Sequence, residues 1–204
     1  MFNVLLDELP EEWEGYPIDT SFRTGIQIMQ CLQDEEFEQD ERIMCALCLL
    51  FPDVNKRPDI IKAQDALEWY LTEFNHDNHK KKNGTTKAFD FDIDQWRIYS
   101  AFLNQYGIDL NTVDMHWFVF MGLLSNLDEC AFTKVVDVRT RKVNSKDSRE
   151  VKKALTEAKD VYRLEKKHEL TEEEKQQDEE ALKRFLEFAN MKNKTGIEPR
   201  ADRD

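Results

Sequence analysis

No apolar run in this chain approaches the roughly 18 residues that a membrane-crossing helix requires, so no span is expected. The opening MFNVLLDELPEE lacks a basic leader and carries only a short apolar run, which argues against a secretory signal. Cysteine is scarce: Cys31, Cys45, Cys48 and Cys130 are all that 204 residues hold, each among apolar neighbours. Free cysteine in such surroundings behaves as a small hydrophobe, and so sparse a set fits a reducing cytoplasm better than a disulfide scaffold. Positive charge is in deficit, with 29 Lys and Arg against 42 Asp and Glu and a net charge of −13. That balance repels a phosphate backbone and argues against sequence-independent nucleic-acid binding, leaving only an acidic surface that imitates nucleic acid. No internal repeat at solenoid periods is visible.

What the chain does have is aromatic and unevenly distributed. Residues 1–144 contain 19 of the 22 aromatics, with 14 basic and 26 acidic side chains. Residues 145–204 contain 15 basic and 16 acidic side chains and only three aromatics. The core and the acidity therefore belong to a body over 1–144. A charged arm over 145–194 and a disordered tail over 195–204 follow.

Phe2 to Leu6 alternates weakly, as a short strand does, and Trp13 to Ile18 reads as two extended arms around a Glu14-Gly15 turn. Pro17 limits that element to an edge. A first helix starts at Thr20 or Ser21. A second, over 40–51, is apolar nearly all round and is expected to be central and buried; Pro52 stops it. Pro58 in a first turn and Asp59 open a third helix that buries Ile60 or Ile61, Leu67, Tyr70, Leu71 and Phe74. A polar loop over 76–86 follows. Asp92 and Gln95 have capping-box spacing for a helix burying Trp96, Tyr99, Phe102 or Leu103, and Tyr106, with Gly107 past its end. Asp114 is placed to cap the next helix, with Trp117, Phe118, Met121 and Leu124 inside, and a short helix over 129–139 buries Phe132, Val135 and Val136. The expected fold is mainly α: a compact helical body with a small N-terminal β element and a C-terminal arm of two amphipathic helices.

Several constellations invite chemistry and fail on spacing. Cys45-x-x-Cys48 with His76-x-x-His79 suggests zinc, but the pairs stand too far apart and the cysteines lie in an apolar helical run, where core packing is the better reading. As a redox pair they lack a preceding strand. Asp90-x-Asp92-x-Asp94 begins like a calcium loop, yet Gln95 and Ala101 stand where glycine and glutamate are needed. His116 has no nucleophile or carboxylate at a useful spacing and reads as a structural histidine. Lys80, Lys81 and Lys82 read as a solvated loop. No metal, cofactor or catalytic residue is assigned, and the chain is expected not to be an enzyme.

The strongest interaction signal is in the arm. A helix from Ser148 places Val151, Leu155, Ala158 and Tyr162 on one stripe. A second, opened by Thr171 and Glu174, places Leu182, Phe185, Leu186 and Ala189 on one face. Narrow stripes on charged helices need a partner surface, either the chain's own body, a second copy or another protein. Val151, Leu155, Tyr162, Leu182, Phe185 and Ala189 are the candidate contact residues.

The segments FNVLLDELPEEW, YPIDTSFR, WRIYSAFLNQYGIDL, DMHWFVFMGLLSNL and VVDVRTRKV together resemble the bacteriophage gp-fifteen family of temperate phages of Gram-positive bacteria, over roughly residues 1–165. In such phages the gene commonly lies between those for the major tail protein and the tape measure protein. The resemblance thus implies a tail assembly chaperone that binds the tape measure protein, the tail tube subunit or both, with a homo-oligomer as a further partner option. It implies action in the host cytoplasm and absence from the mature virion. A structural neck or tail component, or an acidic inhibitor of a host protein, is the alternative.

Overall fold

The arms around Glu14 and Gly15 do pair. Strands β1 (Glu12–Trp13) and β2 (Tyr16–Pro17) form an antiparallel hairpin, Glu12 opposite Pro17 and Trp13 opposite Tyr16. Both turn residues have positive φ, 49° at Glu14 and 85° at Gly15, as a two-residue I′ turn requires. The segment before it is a turn rather than the strand its alternation suggests. The N–H groups of Leu6 and Asp7 both donate to the Asn3 carbonyl, at 2.9 and 2.8 Å. Asn3 Oδ1 accepts from the Leu5 N–H at 3.0 Å, and the Asp7 carboxylate accepts from the Asn3 N–H at 2.8 Å. Local bonds of this kind compete with a strand ladder.

This computed structural model describes residues 3–73, 87–144 and 147–164, all within one compact unit, Met1–Leu164. Those residues hold seven α-helices: α1 (Phe22–Gln33), α2 (Gln39–Leu50), α3 (Ile60–Thr72), α4 (Gln95–Tyr106), α5 (Trp117–Ser125), α6 (Ala131–Thr140) and α7 (Arg149–Val161). The fold is mainly α with a small N-terminal sheet. The second arm helix with Thr171, Glu174, Leu182, Phe185, Leu186 and Ala189 lies outside the described residues. So do Phe74, the loop carrying His76, His79 and Lys80 to Lys82, and the 195–204 tail.

Helix starts decide which side chains turn inward, and three differ from expectation. Asp59, not Pro58, begins α3: its carboxylate accepts from the N–H groups of Ile61 and Lys62 at 3.1 and 3.2 Å. From that start Ala63, Ala66, Leu67 and Tyr70 face the core, and Ile60 and Ile61 are both exposed. The N-cap of α4 is Asp94 rather than Asp92, so Ile98, Ala101 and Phe102 point inward while Trp96 and Leu103 point out. The cap of α5 is His116, not Asp114. Helix α2 is one-sided rather than buried all round: Ala46, Leu47 and Leu50 are inside, and Met44, Cys45 and Cys48 are exposed. Ser21 caps α1 as expected, and Gly107 ends α4 at φ 68°, where its N–H reaches the Leu103 carbonyl at 3.1 Å.

The centre is aromatic. Trp117 is fully buried, stacks on Tyr70 at 5.9 Å and donates its indole N–H to the Tyr70 carbonyl at 3.1 Å. Gly25 of α1 makes this possible, because a Cβ there would come within 2.2 Å of the Trp117 ring. Phe120 stacks on Phe22 at 5.0 Å and on Phe102 at 5.2 Å, which ties α5 to α1 and α4. Such pairs contribute about 0.5–1.5 kcal/mol each beyond their burial.

Two polar devices fix the frame. The first joins the starts of α1 and α5: the Phe22 N–H donates to the Met115 carbonyl at 3.0 Å and the Trp117 N–H to the Thr20 carbonyl at 2.7 Å. His116 completes it. Its Nδ1 accepts from the Phe118 N–H at 3.0 Å, which leaves the proton on Nε2, 3.0 Å from the Pro10 carbonyl. The second device is a buried ion pair. Arg139 of α6 meets Asp94 at 2.6 and 3.2 Å, donates from Nε to the Tyr162 carbonyl at 2.6 Å, and reaches the Ala88 carbonyl at 3.3 Å.

Arg139→Met leaves the buried Asp94 without its main partner and is expected to cost about 3–5 kcal/mol of stability. Denaturant titration checks this; a midpoint like that of the native chain would contradict it. His116 gives a pH signature. Burial lowers its pKa below the ordinary 6.5, against the opposing pull of the Pro10 carbonyl and the Glu11 charge. The unfolded chain takes up the proton first as pH falls. The cap's contribution is therefore fully present above the ordinary value and is lost as pH drops through it toward the folded one. An NMR titration should show the His116 ring ionising below the ordinary 6.5; ionisation above that value would refute the neutral cap.

Candidate functional site

The expected contact residues of the arm are divided by the fold. Leu155 is buried within the chain's own body, where α7 packs on α6. Tyr162 is half-buried and its carbonyl is taken by Arg139, while Val151 is exposed. Leu182, Phe185 and Ala189 lie outside the described residues.

The clefted apolar surface lies elsewhere, between α1, the 91–96 segment and α5. It is an open groove of about 270 Å³. Phe22 and Phe120 form its floor, stacked and nearly wholly buried. Ile26 of α1, Leu110, Phe91 and Tyr99 also line the groove. Trp96 stands at the rim, in edge contact with Tyr99 at 5.9 Å, and is 72% exposed. Its position follows from the cap at Asp94: two residues on, a side chain points away from the face carrying Ile98, Ala101 and Phe102.

The groove has one fixed charge. Arg23 lies 4.6 Å over the Phe22 ring and donates to the carbonyls of Val113, Leu110 and Asn111 at 3.0, 2.8 and 3.2 Å. These bonds hold the guanidinium in the wall without neutralising it, since carbonyls carry no net charge. Among the described residues no carboxylate pairs with it. A cation beside aromatic walls in an acidic chain suits a ligand that is apolar and acidic.

Residues that invited a chemical reading are engaged structurally. Asp94 is held by Arg139 and by Arg97 at 2.9 Å. Burial pulls the Asp90 carboxyl upward, but Lys87 at 2.5 Å and the N–H groups of Ile93 and Asp92 hold it below its usual value. Both ring nitrogens of His116 face backbone groups. Cys45 and Cys48 are exposed, contrary to core packing, because α2 turns Leu47 and Leu50 inward instead. Cys48 accepts from Arg57 at 3.3 Å. Burial, reinforced by the neighbouring Cys45 sulfur, pushes the Cys31 thiol up to about 12, so it remains protonated. Among the described residues no three His, Cys, Asp or Glu side chains gather as a metal site.

Sequence reading missed the groove because it counted Trp96 as core. The available signal was the frame set by Asp94: Ile98, Ala101 and Phe102 alone make an adequate inward stripe, which leaves an indole outside.

No helix among the described residues is long and apolar enough to cross a membrane. No curated protein and no solved structure matches the chain. The family model described as Bacteriophage Gp15 protein matches residues 5–164, nearly the span of the aromatic segments that carry the resemblance and the whole frame from the hairpin to α7. The chain belongs to the Bacteriophage Gp15 protein family.

Proposed function

We propose that this phage structural or assembly-related protein is a non-enzymatic tail assembly chaperone, needing no cofactor, that binds the tape measure protein, the major tail protein or both. The observation that carries the reading is the open aromatic groove with Trp96 largely in water. An exposed indole beside a preformed pocket is the kind of anchor around which binding energy concentrates. A long helical partner with apolar stripes aggregates unless those stripes are covered. A small protein with a net charge of −13 would cover them and keep the complex in solution. The protein would act in the host cytoplasm and leave before the virion is complete. Binding through the groove also moves the contact surface away from Leu155 and leaves Val151 as a peripheral contact.

The test is co-expression with the tape measure and major tail proteins of the same phage, read by size exclusion with light scattering. The native chain should form a soluble complex with at least one of them. Trp96→Ala should weaken it by at least about tenfold, the scale of an interface hot spot, with thermal stability unchanged. Equal capture by the variant would remove the groove from the account. Failure to capture either protein, or abundant copies of the chain in purified virions, would remove the chaperone reading.

A further inference from the structure

A second exposed apolar feature stands near the start of the described residues. Val4, Leu5 and Leu6 are 61, 87 and 82% exposed, the last two among the most exposed large hydrophobics described. They are consecutive, so they form a patch rather than scattered surface residues. They are also held in shape. The Asn3 carbonyl and side chain and the Asp7 carboxylate close the turn from both ends, at 2.8–3.0 Å, and present the leucines outward. Asp7 and Glu8 follow at once, both exposed and acidic.

These properties are complementary to those of the groove. One feature is a convex, preformed, apolar turn flanked by carboxylates. The other is a concave aromatic surface whose wall holds the Arg23 guanidinium without a carboxylate among the described residues. None of residues 4–8 lines the groove of its own chain. A preformed turn loses little conformational entropy on docking, which favours a small contact.

We propose that the groove receives the N-terminal turn, Val4, Leu5 and Leu6, of a second copy of this chain. The two leucines lie against Trp96, Tyr99 and Ile26, over the Phe22 and Phe120 floor, and the acids that follow face Arg23. Because plug and socket are different surfaces, the contact is heterologous, and each copy can give one and take one. The inference rests on the groove being a docking surface and assigns its occupant when no tail protein is bound. A tail protein that enters the groove would then displace the neighbouring copy.

The experiment uses the full chain and two variants, Trp96→Ala and the double variant Leu5→Glu with Leu6→Glu. All the altered residues are exposed, and circular dichroism confirms that both variants fold. Sedimentation velocity over a concentration series should show that the native chain self-associates. Each variant alone should associate at least about tenfold more weakly, as expected for loss of an anchor. Mixed together, they should form one-to-one complexes and nothing larger, because only one plug and one socket remain intact. A native chain that stays monomeric, a variant that associates like the native chain, or a mixture that stays monomeric would each overturn the proposal. The Leu5→Glu, Leu6→Glu chain keeps its groove and should still capture the tail protein. A monomeric native chain that loses its tail partner on Trp96→Ala would therefore sink self-docking and leave the chaperone reading standing.

Discussion

The frame of this molecule depends on the contact between Asp94 and Arg139. Asp94 is wholly buried at the start of α4 and Arg139 nearly so toward the end of α6. Alone, either charge would be strongly disfavoured in such a place. Together they form a two-point contact whose remaining donors and acceptors are also used: Arg139 binds the carbonyls of Tyr162 and Ala88, and Asp94 accepts from the Asp90 N–H and from Arg97. A pair so fully satisfied tolerates burial, whereas a half-satisfied one would not. Its position matters as much as its energy. It joins the 87–90 segment, α4, α6 and the end of α7, so the acidic body and the first arm helix share one polar centre.

The same carboxylate also steadies one wall of the groove. It makes no capping bond to α4; held by Arg139 and Arg97, it ties the start of α4 to α6, with Phe102 in the core and Trp96 in water. On the far side of the groove, the bridge between the starts of α1 and α5 places Phe22 and Phe120 as a stacked floor. The groove is thus bounded by two elements whose starts are locked by polar contacts, the α1–α5 bridge with its neutral His116 and the buried ion pair. An apolar site built on such supports is largely preformed, which limits the ordering cost of filling it.

Much of this was legible in the residues. The hairpin followed from Glu14-Gly15, the start of α1 from Ser21, and the end of α4 from Gly107, because each depends on local backbone chemistry. The helix faces were less legible. At Pro58-Asp59, Asp92-x-Asp94 and Asp114-x-His116 more than one residue can cap, and tertiary partners make the choice: Arg139 selects Asp94, and the bridge to α1 selects His116. Trp96, Ile60 and Ile61 stand in the first turn after those caps, off the stripes that the core covers, and so came out exposed. Arg139 itself carried no local signal, since its partner lies 45 positions away. Cys45 and Cys48 misled because composition around them was apolar, while burial is decided by the face that α1 and α3 cover.

Membership of the Bacteriophage Gp15 protein family sets the biological context, and the groove is where we propose that the chain acts in it. The account makes Trp96 the point at which this chain meets its partners. The most direct measurement replaces Trp96 by the photoreactive p-benzoylphenylalanine and irradiates cells in which the phage is assembling. Mass spectrometry then identifies what is joined to position 96. The account predicts adducts with a tail protein and with a second copy of the chain. Absence of adducts from position 96, with the same probe at Val151 capturing a tail protein, would contradict it.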